Sequence, residues 1–563
     1  MAQEKPVRLT RLTTGVPGLD DVLGGGIPEY SFNIIAGEPG SGKTTLVHQL
    51  LFANATVDRP ALYFTALGEP PIKMLRYQQQ LGFFDVSKVG SAIRFVDLAA
   101  EVQRGDLDGL LAGVIKVVND TSPAIVVVDS FRSVIPSPSA ERGYDVKAFL
   151  QQLAMHLTSW QATTFLLGEY SEEDVQANPV FTVCDGLIWM FQSRDRNSVV
   201  RRLQIKKMRG AAPTPGIHTF RISDDGIRVF PRAMRRPVHD RRPYSVARLS
   251  TGIPTLDEML RGGIPCGDST LVAGPTGVGK TLLGTQFIAE GLKRGEPGVI
   301  AVFEEHPDDY IQRAKELGFD LTSAIDSGKL KLVYLHPLDL SVDETLLNLR
   351  EAIDANDARR FVIDSLTGFE LALAPNFRED FRDALYRMVG ALTSERVTTL
   401  MIVEVTEHFH ELSFSPHAIS FLTENIVLLR YVEIDGLLEK VVAVVKMRRS
   451  EHSRELRGYE ITNRGLVVTA RLREYEGVLT GAATPRSDIL RLEAAELTAE
   501  DARILAAMTK LGPAGAEAIA GELGITVVEL APALRRLVVL AYAVASMEGE
   551  VVTYRPVGSL PAT

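Results

Sequence analysis

Residues 13–28, TTGVPGLDDVLGGGIP, return at residues 250–265 as STGIPTLDEMLRGGIP, with ten of the sixteen positions identical. A displacement of 237 residues, from Thr13 to Ser250, marks a duplicated domain, because solenoid units repeat every ~20 to 50 residues. Outward from these stretches each copy continues in one order. A short apolar strand leads to a glycine-rich loop, a helical pattern and a second strand, and later to an apolar run ending in Asp-Ser. Strands alternating with helices predict an α/β fold built twice, each copy a mostly parallel sheet covered by helices.

The glycine-rich loops are GEPGSGKT, Gly37 to Thr44, and GPTGVGKT, Gly274 to Thr281. Both match G-x-x-x-x-G-K-[ST], and both follow an apolar strand and precede a helix, the context in which the motif binds nucleotide phosphates. Glycines are needed because bulky side chains would stop backbone N–H groups wrapping the phosphates at the positive end of a helix. The expected nucleotide-binding residues are therefore Gly37, Gly40, Ser41, Gly42, Lys43, Thr44 and Thr45 in the first copy. Their counterparts are Gly274, Thr276, Gly277, Val278, Gly279, Lys280, Thr281 and Leu282. Lys43 and Lys280 reach for β- and γ-phosphates of ATP. Thr44 and Thr281 hold Mg²⁺, with Asp129 (AIVVVDS) and Asp364 (RFVIDS) as strand-end carboxylates for the metal.

The catalytic groups are unequal. Aligning LGF at Leu317 with LGF at Leu81 without a gap sets Glu304 and Glu305 opposite Gly68 and Glu69. A carboxylate at this strand end can orient the water that attacks the γ-phosphate or take its proton. The second copy has a pair and the first lacks its leading member, so hydrolysis is expected mainly in the second. Near the end of each copy, IKKMRG carries Lys207 and Arg209, and VVKMRRS carries Lys446 and Arg448. Lys-x-Arg on a strand places both cations on one face, where they can neutralise developing γ-phosphate charge, often across a subunit boundary.

Composition narrows the class. With 61 Lys and Arg against 71 Asp and Glu, a net charge of −10 argues against a chain whose main task is coating nucleic acid. The two cysteines, Cys184 and Cys266, form no CxxC pair, so no disulfide framework or zinc site is expected and a reducing cytoplasm is the natural setting. The opening MAQEKPVRLTRLTTG has no apolar signal core, and no stretch approaches the ~18 apolar residues of a membrane span.

These motifs resemble the KaiC family of circadian-clock ATPases: paired RecA-like domains, GxxGxGKT loops, FEE, IDS strand ends, K-M-R-G, and LTENIVLLRYVEIDG from Leu422. The resemblance covers about residues 8 to 475. It implies homo-hexamers of two stacked rings, ATP between subunits, slow hydrolysis, regulatory protein partners and autokinase activity. It also implies phosphoacceptor candidates Ser420 and, in reserve, Thr423, since the family's adjacent Ser-Thr stands here as Ser420-Phe421.

The chain divides into a first RecA-like domain at 1–235, a basic linker at 236–247, a second domain at 248–480, a small-residue linker at 481–497 and a winged-helix-like domain at 498–563. In the last, a helix runs through Leu511, Gly512-Pro513 breaks it, a second helix runs through Leu523, and a third starts at Thr526 with VVTYRPV beyond as a wing. From residue 495 onward five Lys and Arg face eight Asp and Glu, so protein docking is favoured over duplex binding, which draws on cation–phosphate contacts. Two other readings stand beside an ATPase: a RecA-like enzyme acting on DNA, and an ATP-gated scaffold with little catalysis.

Overall fold

The computed structural model describes residues 9–66, 71–99, 107–130, 152, 155–156, 161–177, 180–195, 198–232, 247–335, 340–373, 381–405, 422–434, 437–472, 475–476, 484–485, 498–539, 542–548 and 551–557. Gly68, Glu69, Ser420 and the basic linker up to residue 246 lie outside them, as does most of the second linker.

Apolar runs such as Ile125–Asp129 and Arg360–Asp364 are strands buried on both faces, the pattern of a parallel sheet covered on each side. The first large sheet uses β1 (Phe32–Gly37), β2 (Ala61–Thr65), β3 (Ile93–Asp97), β4 (Ile125–Asp129), β5 (Thr163–Glu169), β6 (Gly186–Asp195), β7 (Ser198–Met208), β8 (Ile217–Ser223) and β9 (Gly226–Phe230). Their order is β9-β8-β7-β6-β1-β5-β4-β2-β3, parallel from β6 to β3 and antiparallel beyond β6. Helix α1 (Lys43–Asn54) follows the loop after β1.

The second copy repeats this with β10 (Ser269–Gly274), α2 (Lys280–Lys293), β11 (Gly298–Val302), α3 (Pro307–Glu316), β12 (Leu330–Tyr334), α4 (Val342–Ala355), β13 (Arg360–Asp364) and β14 (Thr398–Glu404), then β15 (Asn425–Ile434), β16 (Leu437–Met447), β17 (Arg457–Thr462) and β18 (Gly465–Arg471). Its order, β12-β11-β13-β14-β10-β15-β16-β17-β18, is that of the first sheet. Each sheet has an apolar cluster on either face. Alternation along β1 shows why: Phe32, Ile34 and Ala36 join one cluster and Ile35 the other. The expected α/β architecture of two tandem domains with mostly parallel sheets is what the chain forms.

The domains meet where β8 and β9 face α4. Thr219 Oγ1 and Ser341 Oγ are 2.9 Å apart, and Arg221 and Arg228 pair with Glu344 and Glu351. After the second sheet, Tyr475–Glu476 pair antiparallel with Thr484–Pro485. The C-terminal unit has helices α5 (Ala499–Leu511), α6 (Ala516–Leu523) and α7 (Val527–Val539) against strands β19 (Ala514–Gly515), β20 (Ala543–Glu548) and β21 (Val551–Pro556), ordered β19-β21-β20. Thr526 and Glu529 bond reciprocally ahead of α7, as a capping box does.

Candidate nucleotide sites

Each loop closes on its helix through a glycine whose φ only glycine adopts freely, Gly42 at 98° and Gly279 at 95°. A Cβ there would also come within 2.9 Å of Ile222 Cδ1 on β8 or 3.0 Å of Ile461 Cδ1 on β17. Gly37 and Gly274 end the strands, Gly40 and Gly277 lie in the turns, and Lys43, Thr44 and Thr45, like Lys280, Thr281 and Leu282, open the helices. The side chains of Ser41 and its counterpart Val278 are buried, and the Ser41 hydroxyl has no hydrogen-bond partner. Lys43 Nζ donates to the carbonyls of Gly37 and Glu38 at 3.1 and 2.8 Å, and Lys280 Nζ to that of Pro275 at 2.7 Å. Burial pulls both lysines' pKa below the ordinary value, with neighbouring carboxylates opposing.

The metal residues also come together. Thr44 Oγ1 donates to Asp129 Oδ2 at 3.0 Å. Asp364 is pushed up to about 6 by burial, against a bond from Thr281. A hydroxyl and a carboxylate are hard oxygen donors, which suit an Mg²⁺ that keeps waters and shares phosphate oxygens. Among the described residues no group of three or more His, Cys, Asp or Glu forms a protein-only cage.

In the second domain a cavity of about 360 Å³ is lined by Thr276, Lys280, Thr281, Glu304 and Asp364. Glu304 Oε1 accepts from Ser365 Oγ at 2.8 Å, which aims the carboxylate. Glu305 is committed elsewhere, with Arg313 Nη2 at 2.6 Å from its Oε2. Among the lining residues that were not anticipated, three bear on the chemistry: Ser365, Arg313, and Glu404, which ends β14 and accepts from Thr276. Recurrence would have found two of them, since Asp-Ser ends β4 and β13 and a glutamate ends both β5 and β14. Nothing in sequence marks Arg313, a helix residue whose role depends on where α3 docks.

Strand register revises the gapless comparison of the two acidic segments. Thr65 pairs with Asp129 and Val302 with Asp364, so Thr65 and Val302 are equivalent, and counting on from them in the sequence sets Leu67 against Glu304. The LGF stretches instead put Gly68 opposite Glu304, so the first domain has one extra residue between Thr65 and Leu81. Neither Leu67 nor Gly68 is an acid, and Glu69 answers either to Glu305 or to His306.

The cation pairs lie far from their own loops. Met447 pairs with Asn425, and Asn425 with Thr270 at the start of β10, the end opposite Gly274. Lys446, paired with Ile426 and through it level with Leu271, stands three residues or roughly 10 Å from Gly274 along the strand, and Arg448, past Met447, stands farther. Lys446 Nζ donates to the Thr423 carbonyl at 2.7 Å, and Arg448 lies just past the strand. In the first domain Lys207 Nζ donates to Thr182 O at 3.3 Å, and Arg209 Nη1 lies 3.2 Å from Asp185 Oδ1. Thr423 is buried, its hydroxyl without a partner, which leaves it a poor phosphoacceptor within this chain.

A family model described as the KaiC ATPase matches residues 12–234 and again 249–473. The chain belongs to the KaiC ATPase family. It is 28% identical over 487 residues to the circadian clock oscillator protein KaiC of Picosynechococcus sp., covering 84% of this chain and 92% of that one. Against the KaiC of Prochlorococcus marinus it is 28% identical over 491 residues, 84% and 96% of the two chains. Against KaiC 1 of Synechocystis sp. it is 27% identical over 488, 84% and 92%. Both KaiC-matched regions contain a complete phosphate loop and strand-end aspartate. Among the described residues, no helix is long and apolar enough to cross a membrane.

The first KaiC domain has a buried base of its own. His48 on α1 is fully enclosed, its nitrogens without hydrogen-bond partners, and burial pulls its pKa down to about 3. The unfolded chain takes up this proton near pH 6.5. Stability from a neutral His48 is therefore present above that pH and lost as pH falls toward 3, at about 1.4 kcal/mol per unit. Denaturant unfolding of His48→Thr, which installs the residue of the second domain, is expected to show a shallower loss between pH 6 and 4.

Proposed function

We propose that this KaiC-family chain assembles with ATP into a homo-hexamer of two stacked rings and hydrolyses ATP, with Mg²⁺, mainly in the second ring. The observation that carries this is the division of the catalytic groups. Glu304, Lys280, Thr281 and Asp364 line one cavity, while Lys446 and Arg448 sit at the far end of the same sheet. Those cations reach a γ-phosphate only if a neighbouring subunit supplies the site. The first domain binds ATP for assembly. Glu304 can also serve as base for a hydroxyl presented by a neighbour, with Ser420 the candidate acceptor and autokinase activity the consequence.

The C-terminal unit is read as a winged-helix-like module that docks a regulatory protein in the cytoplasm. Arg536, one of two arginines on α7 available for phosphates, is held by Asp501 on α5, which weakens the case for nucleic acid. Sedimentation with ATP is expected to give a hexamer, and with Lys43→Ala a shift to smaller species. Monomers alone in saturating ATP would remove the basis of the proposal. Peptide mapping of that hexamer after labelled ATP reads the kinase arm: label on Ser420 supports it, and no label leaves an ATPase.

A further inference from the structure

In the first domain the strand-end carboxylate has a partner that its counterpart lacks. Tyr63, fully buried on β2, donates its hydroxyl to Asp129 Oδ2 at 2.5 Å, the oxygen that also accepts from Thr44. Tyr63 precedes by two residues Thr65, the partner of Asp129 across the strands, so both side chains leave the sheet on one face. Its ring is fixed edge-on to His48 at 4.8 Å between centroids and tilted against Phe95 at 5.3 Å. Asp129 Oδ1 has no protein donor among the described residues. In the second domain the register position of Tyr63 holds Ile300, which has no donor, and the hydroxyl of Tyr310 on α3 goes to Thr285 at 2.8 Å instead.

We propose that Tyr63 is a positioning residue of the first nucleotide site, holding the Asp129 carboxylate in a fixed orientation for the magnesium that accompanies ATP. A buried carboxylate pinned on one oxygen by two donors keeps its other oxygen free and its torsion fixed. Partners of this kind, one bond removed from a metal ligand, typically change metal affinity ten- to hundredfold when lost. The second domain, without such a donor, makes weaker use of its aspartate or orients it otherwise. The inference rests on the reading that the first domain binds Mg²⁺-ATP.

The test uses the full-length chain with Lys280→Ala to silence the second site, and a fluorescent N-methylanthraniloyl-ATP as probe. Tyr63→Phe removes one oxygen and keeps the ring. The expected result is a rise of about tenfold or more in the Mg²⁺ concentration for half-maximal probe binding, with binding in EDTA unchanged. The same substitution in a chain carrying Lys43→Ala should leave the second site's Mg²⁺ midpoint where it was. An unmoved first-site midpoint, or an equal loss of binding with and without Mg²⁺, would overturn the inference. Should Tyr63→Phe fold poorly, Asp129→Asn in the Tyr63 chain decides instead: if it leaves the Mg²⁺ midpoint unchanged, the carboxylate is not what magnesium uses and the inference fails. A Lys280→Ala chain that binds no probe at all overturns the underlying reading as well.

Discussion

Replacing Glu304 with Gln is expected to lower ATP turnover by about two to four orders of magnitude while leaving ATP bound. Gln keeps the size of the side chain and can still accept from Ser365, so the shape of the cavity survives. What it loses is the ability to take a proton from the attacking water. Glu305→Gln should cost less, because Glu305 spends its charge on Arg313 at the rim rather than on the reacting atoms. Phosphate release by the full chain, with retained nucleotide counted after gel filtration, separates the two effects. A larger loss from Glu69→Gln than from Glu304→Gln would reverse the ranking of the domains.

Arg448→Ala is expected to reduce turnover by roughly a thousandfold or more, the range removed with an arginine finger. The decisive form of the experiment is a mixture. A Lys280→Ala chain lacks the phosphate lysine and keeps the finger, and an Arg448→Ala chain has the reverse defect. If fingers act across subunits, equal mixing should restore about a quarter of the wild-type rate, because that share of random interfaces joins an intact loop to an intact finger. If each finger served its own loop, the mixture would be as inactive as its parts. The placement of Lys446 and Arg448 at the entry end of β16's neighbours, away from Gly274, favours the first outcome.

Much of the candidate site was legible because its chemistry is contiguous. GEPGSGKT and GPTGVGKT must carry glycine, lysine and threonine at fixed spacings to wrap a phosphate, and a strand of Val and Ile must end in its aspartate to be read at all. Duplication sharpened this, since a pattern seen twice in one frame cannot be a chance match. The absence of a first-domain partner for Glu304 was visible in the same way, although its frame was not: a one-residue insertion shows in strand pairing and is silent in a gapless alignment.

By itself, then, the order of residues determined the two α/β domains, their phosphate loops and the inequality of their acids. Only the tertiary structure decided which side chains share a cavity. Ser365 meets Glu304 across 61 positions, Tyr63 meets Asp129 across 66 and Arg313 meets Glu305 from the next helix. Such meetings depend on which strands lie side by side and where a helix docks, properties of the packed sheet that no local spacing encodes. The same holds for Thr423, whose type suits a phosphoacceptor and whose burial does not, and for the cations, whose strand runs antiparallel and so carries them away from their own nucleotide.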